Sequence, residues 1–141
     1  MKTPHTRFPL ARIGLAASAA AVATGFCVSA LARPASAEDV LAKYEKTGEH
    51  VSCLPLRTVR NTTVLDDYAM LVEAGGDIYL NELNNRCAGL GRERRYSRES
   101  TTGQLCRGDI IRVLDSFGGF AGSCSLGAFE KLDEIPDADA E

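Results

Sequence analysis

The sequence predicts a mostly β protein, a small antiparallel barrel or sandwich of about six short strands with a short N-terminal helix. Three observations carry this. Tyr68, Met70, Val72 and Ala74 alternate with Ala69, Leu71 and Glu73, the period-two pattern of a half-buried strand. The alternation resumes over residues 78–83, directly after Gly75-Gly76-Asp77, and two such runs about a Gly-rich turn make a β-hairpin. Further short runs rich in Val, Thr and Ile recur along the chain with turn residues between them, as in small all-β folds.

Ahead of this domain lies a leader. Lys2, Arg7 and Arg12 give the first twelve residues three cations and no acid, residues 13–32 carry no charge, and Ala35-Ser36-Ala37 follows. That order predicts a signal peptide over residues 1–37, cleaved after Ala37. A retained anchor would need roughly 20 apolar residues. The uncharged run has that length, but it is built mainly of Ala, Ser, Thr and Gly and ends at a cleavage site, which favours removal. Phe26 before Cys27 does not suit lipoprotein processing, and Arg7 and Arg12 are not adjacent as a twin-arginine signal requires. An Ala-rich leader of this kind is bacterial in style, so the expected destination is the periplasm or the exterior, with no transmembrane segment left after cleavage.

Residues 38–49 are expected to form a short helix and linker. Val40, Leu41 and Tyr44 share a face over residues 38–47, Glu38 and Asp39 suit the first turn, and Gly48 suits a C-terminal cap. A disulfide-stapled β domain then spans residues 50–132. Its expected strands are 56–60 and 62–65, the hairpin 68–74 and 78–83, a weak strand at 94–98, a strong one at 110–114, and a last one at 124–129. Ser100-Thr101-Thr102-Gly103 reads as a turn and residues 116–123 as a Gly-rich loop holding Phe117 and Phe120. Residues 133–141, with five acids and one proline, read as an acidic disordered tail.

Without the leader the chain carries 12 cations against 19 acids. Nucleic acid and anionic membrane surfaces demand clustered positive charge, so neither is an expected partner. One local exception is Arg92-Glu93-Arg94-Arg95 with Arg98, read as a solvated strand or loop face in preference to an anion site.

Cys53, Cys87, Cys106 and Cys124 remain, at intervals of 34, 19 and 18 residues. An even count in a small exported domain reads as two disulfides. With no C-x-x-C pair and His50 the one remaining histidine, neither a thioredoxin-like motif nor a zinc site is indicated, and no metal or cofactor is expected. Bridges help a domain with no Trp and seven aromatics, since each is worth roughly 3 kcal/mol in the chain-entropy model. Four cysteines allow three pairings. The expectation is Cys87–Cys106, flanking a local strand–turn–strand segment, with Cys53–Cys124 joining the first and last strands.

Few residues carry chemistry. Arg107-Gly108-Asp109 spells an integrin-type tripeptide but reads as a turn entering a strand, and Asn61-Thr62-Thr63 fits a glycosylation sequon that a bacterial cell would not use. The serines at 52, 97, 123 and 125 lack a G-x-S-x-G context, and the glycines at 118, 119, 122 and 127 lack phosphate-loop spacing. The densest polar segment beside the core is Asn81-Glu82-Leu83-Asn84-Asn85-Arg86. If a ligand site exists, Asn81, Glu82, Asn85 and Arg86 with Asp109 are its expected members, because loops pinned on a rigid scaffold carry function and Asn and Arg supply directional hydrogen bonds. The competing reading, in which Asn81 and Asp109 satisfy backbone groups at strand ends, is the stronger of the two.

Cys53-Leu54-Pro55-Leu56, Val64-x-Asp66, Tyr79-x-Asn81-x-Leu83-x-x-x-Cys87-x-Gly89-Leu90, Leu105-Cys106-x-Gly108-Asp109 and Cys124-x-Leu126-Gly127-x-Phe129 occur in that order. In this the chain resembles a proteobacterial family of small exported, four-cysteine proteins, some lipid-anchored, classified as a domain of unknown function. The likeness covers roughly residues 51–132, and the cysteine spacing is its specific part. It implies export and two disulfides and brings no activity or ligand. The function expected from the sequence is therefore non-enzymatic, binding an envelope protein or a small ligand. The alternative is a hydrolase or other enzyme using carboxylates that the fold brings together.

Overall fold

The computed structural model describes residues 35–99 and 101–136, so most of the leader and residues 137–141 of the expected tail lie outside the described residues. Ten strands and two short helices follow in the order α1 (Ala37–Leu41), β1 (Tyr44–Val51), β2 (Cys53–Pro55), β3 (Val59–Val64), β4 (Ala69–Ala74), β5 (Asp77–Glu82), α2 (Leu90–Glu93), β6 (Tyr96–Arg98), β7 (Gln104–Cys106), β8 (Ile110–Leu114), β9 (Phe120–Ser125) and β10 (Phe129–Glu134). All described pairings are antiparallel. They form a five-stranded sheet ordered β1-β10-β5-β4-β3, a three-stranded sheet β6-β8-β9 and a ribbon β2-β7. No closed barrel results, and the arrangement is sandwich-like. The strands number ten where about six were expected: β1 replaces predicted helix, β2 and β7, three residues each, were not expected as strands, and the expected last strand is divided between β9 and β10.

Alternation along β4 explains the layering. Met70, Val72 and Ala74 join Val64 and Phe129 on one face of the large sheet and meet Leu54, Leu90, Leu105, Ile111, Val113 and Leu126 of the facing elements. Leu71 points to the other face with Leu80 and Leu132, where Val40 and Leu41 of α1 cover them together with Tyr44. A strand buried on both sides carries apolar residues at consecutive positions, and Met70, Leu71 and Val72 are all buried. The β4–β5 hairpin forms as expected, with Leu71 opposite Leu80 and positive φ at Gly75 and Gly76, a turn geometry that glycine adopts without strain.

The expected helix over 38–47 is corrected. Only Ala37–Leu41 is helical, started by a capping box in which the Ser36 hydroxyl accepts from the Asp39 N–H at 3.2 Å and the Asp39 carboxylate accepts from the Ser36 N–H at 2.9 Å. From Tyr44 the chain pairs with β10, because strand pairing satisfies its backbone where an isolated short helix is marginal. Gly48, at φ 77°, accommodates a register shift between Lys46 and His50 and caps no helix.

The expected disulfides are corrected as well. The pairs are Cys53–Cys106 and Cys87–Cys124, with Cα separations of 4.0 and 5.1 Å. Cys87 and Cys106 do not flank a local hairpin, since α2 and β6 intervene, β6 pairs with β8, and β7 pairs with β2. Cys53 and Cys106 sit directly opposite each other on that ribbon. Near the C-terminus, β9 begins at Phe120 inside the expected Gly-rich loop, and the expected strand over 124–129 is divided between β9 and β10. Asp133 and Glu134, assigned to the tail, close β10.

Candidate functional site

The residues expected to form a site bind mainly their own chain. Asn81 on β5 is wholly buried. Its Nδ2 donates to the Gly127 carbonyl at 2.9 Å, and its Oδ1 accepts from the Gly127 N–H at 3.0 Å. Asn85 Oδ1 accepts from the Ser125 N–H at 3.2 Å. Asn84, in the same polar run but not among the expected site residues, donates to the Leu126 carbonyl at 2.7 Å. Together these amides fasten the hairpin exit along residues 125–127. Arg86 donates through Nε and Nη2 to one oxygen of Asp67 at 3.1 and 2.9 Å. Asp109 accepts from the Cys106 N–H at 2.8 Å and closes the turn into β8.

Glu82 lines an open cavity of about 210 Å³ together with His50, Asn84, Arg107 and Glu130. Here the fold does bring two carboxylates together. The Lys46 ammonium lies between them, 2.9 Å from Glu82 and 3.1 Å from Glu130. Those hydrogen bonds, Glu82 first, hold Lys46 above its ordinary range. One cation shared by two acids is an ion triad; acid–base catalysis by paired carboxylates needs environments that push them apart.

A larger cleft of about 570 Å³ lies elsewhere. It opens where β3, the outer strand of the large sheet, faces β6, and Tyr96 spans the two by donating its hydroxyl to Thr62 Oγ1 at 2.9 Å. Leu56, Val59, Leu105 and Leu114 supply apolar lining, and Arg94, Arg95 and Arg98 supply charge. Among the described residues no carboxylate lines it, although the chain is acidic overall. Arg95 is positioned by donating from Nη2 to the Asp115 carbonyl at 2.7 Å. Arg94 donates from Nε to the Gly91 carbonyl at 3.4 Å. Neither contact neutralises charge, and no ion pair joins any of the three to an acid among the described residues.

Backbone geometry marks the same place. Arg94 ends α2 with φ 52°, the one positive φ among the described non-glycine residues. Left-handed backbone costs an ordinary residue about 1–2 kcal/mol, and such strain gathers at functional sites. Guanidinium groups over an apolar floor suit a ligand with an anionic head and an apolar body. The signal available in the sequence was the crowding of four of the nine post-leader arginines into residues 92–98. The floor, drawn from residues 56 to 114, had no local signal.

Outside the cleft, Phe117 stands 99% exposed at the β8–β9 turn, whose backbone is fixed by the Phe117 and Gly119 N–H groups donating to Asp115 Oδ1, both at 2.8 Å. Among the described residues no cluster of three or more His, Cys, Asp or Glu is placed to hold a metal ion, and no helix is long and apolar enough to cross a membrane. Comparison with protein-family models, with curated proteins and with solved structures gave no match.

Proposed function

We propose that this chain is an exported, non-enzymatic binding protein whose ligand is a small amphiphilic anion held in the cleft between β3 and β6. The observation that carries the reading is the lining of that cleft: Arg94, Arg95 and Arg98, apolar side chains, and no acid among the described residues. The anionic head pairs with guanidinium groups that no acid among the described residues matches, and the apolar body covers Leu56, Val59, Leu105 and Leu114. Such division between a few placed polar groups and an apolar lining is the usual composition of small-molecule sites. Two disulfides suit an oxidising compartment, and the leader read from residues 1–37 directs the chain to the periplasm or beyond.

Calorimetric titration with decanoate, beside decanol as the uncharged control, tests this. Decanoate should bind and decanol should bind at least tenfold more weakly, since a hydrogen bond to a charged group is worth about 1.5–3 kcal/mol. Arg98→Gln should weaken decanoate by about tenfold on the same scale. Equal binding of the two probes, absence of binding, or indifference to Arg98→Gln would refute the reading.

A further inference from the structure

We propose that Cys53–Cys106 is a reducible switch that controls the order of the cleft floor, while Cys87–Cys124 is a permanent staple. The two bonds occupy opposite environments. Cys87 and Cys124 are 0% and 3% exposed within the core, whereas Cys53 is exposed and Cys106 half-buried. Strand alternation produces the difference. Leu54 and Leu105 face each other on the inner side of the β2–β7 ribbon, so the directly paired Cys53 and Cys106 stand on its outer side.

The ribbon is the least supported sheet of the fold. Each strand has three residues, and among the described residues neither pairs with any other strand. Its ladder is extended by the Leu56 N–H donating to the Gly103 carbonyl at 3.0 Å and the Arg107 N–H donating to the Ser52 carbonyl at 2.7 Å. A two-stranded ribbon is marginal by itself in water, and this one is held to the body by Leu54 and Leu105 in the core and by the covalent tie between residues 53 apart in sequence. Leu56 follows β2, Leu105 lies within β7, and both line the cleft. Loss of the tie therefore loosens the floor on which the ligand's apolar body rests. The effect on ligand rests on the cleft reading above; the redox step and the loosening do not.

The co-reactant is a dithiol. Its thiolate attacks the exposed Cys53 sulfur, forming a mixed disulfide and releasing Cys106 as a thiolate that takes up a proton. The second thiol of the reductant, on losing its proton, closes on the mixed disulfide, releasing Cys53 as a thiolate that is then protonated. Two electrons pass from dithiol to protein, leaving two cysteine thiols and the reductant's own disulfide. In-line attack requires access to sulfur, which the Cys87–Cys124 pair does not offer in the folded state.

The test is graded dithiothreitol treatment of the oxidised protein without denaturant, with iodoacetamide trapping and mapping of each alkylated cysteine. Cys53 and Cys106 should label at least tenfold faster than Cys87 and Cys124, which should label only when denaturant is added. In the singly reduced protein, hydrogen exchange at the Leu56 and Arg107 amides should accelerate at least tenfold, with the Leu71 and Leu80 amides of the β4–β5 hairpin unchanged. Simultaneous labelling of all four cysteines, or unchanged exchange at Leu56 and Arg107, overturns the proposal. Decanoate binding by the oxidised and singly reduced forms supplies the separate readout: no binding by the oxidised form removes the cleft reading and leaves the switch standing, whereas equal affinity of the two forms overturns control of the site by the bond. Cys53→Ser/Cys106→Ser, if it folds, should reproduce the singly reduced protein.

Discussion

Asn81 and Gly127 exchange two hydrogen bonds, the Gly127 N–H donating to Asn81 Oδ1 at 3.0 Å and Asn81 Nδ2 donating to the Gly127 carbonyl at 2.9 Å. A side-chain amide here does what a strand neighbour would do, at the point where the chain crosses from β9 to β10. Gly127 is required, because a Cβ there would run into the Glu82 carbonyl oxygen. Asn81→Ala strands one buried N–H and one carbonyl, at about 3 kcal/mol in total. Urea unfolding should show that loss in midpoint with an unchanged slope, while decanoate affinity of the folded protein stays as it was.

Asp67 organises the loop after β5. Its carboxylate accepts from the Gly91 N–H at 2.9 Å and from Arg86, and its carbonyl accepts from the Cys87 N–H at 2.8 Å. The Gly91 N–H foremost, and then Arg86, hold the carboxyl below its ordinary value of 3.8. A carboxyl depressed in the folded state contributes stability that is present above the unfolded value and lost as the pH falls through the folded one. Asp67→Asn should therefore lower the melting temperature at pH 7, by an amount corresponding to about 1 kcal/mol given the exposure of Arg86. The deficit should shrink as the pH is taken below about 4.

Cys87–Cys124 closes a 37-residue separation inside the core. Replacing both cysteines by Ala should cost about 4 kcal/mol in the chain-entropy model, a large part of a typical 5–15 kcal/mol total. Non-reducing peptide mapping of the parent should yield fragments joined 53 to 106 and 87 to 124; fragments joined 87 to 106 would restore the pairing expected from sequence.

Arg94 separates stability from binding. Arg94→Gly relieves the left-handed backbone, a gain of about 1–2 kcal/mol partly offset by the greater freedom of glycine in the unfolded chain. The melting temperature should hold or rise while decanoate affinity falls. A lower melting temperature together with unchanged affinity would remove Arg94 from the site.

The β4–β5 hairpin was legible because its signals are local: alternation on both sides of Gly75-Gly76. β1 was not, because Val40, Leu41 and Tyr44 cover one apolar face whether Tyr44 sits in a helix or begins a strand. The disulfide pairing was hidden for a related reason, since β7 chose β2 as its partner across 53 residues and not its neighbour in sequence. Among the expected site residues, the polar run 81–86 announced a crowded hydrogen-bonding seam, and the structure shows Asn81, Asn84 and Asn85 holding that seam together. The arginines of residues 92–98 were visible as a cluster, but their apolar floor comes from three separate stretches of the chain, 56–59, 105 and 114, and exists only after folding.

Amide chemical-shift mapping of the oxidised protein titrated with decanoate locates the ligand site. Saturable shifts should concentrate at Leu56, Val59, Thr62, Arg94, Arg95, Tyr96, Arg98, Leu105 and Leu114, with Asn85, Arg86 and Asp109 unmoved. Shifts centred on Asn85, Arg86 and Asp109, or none at any saturable concentration, would contradict it.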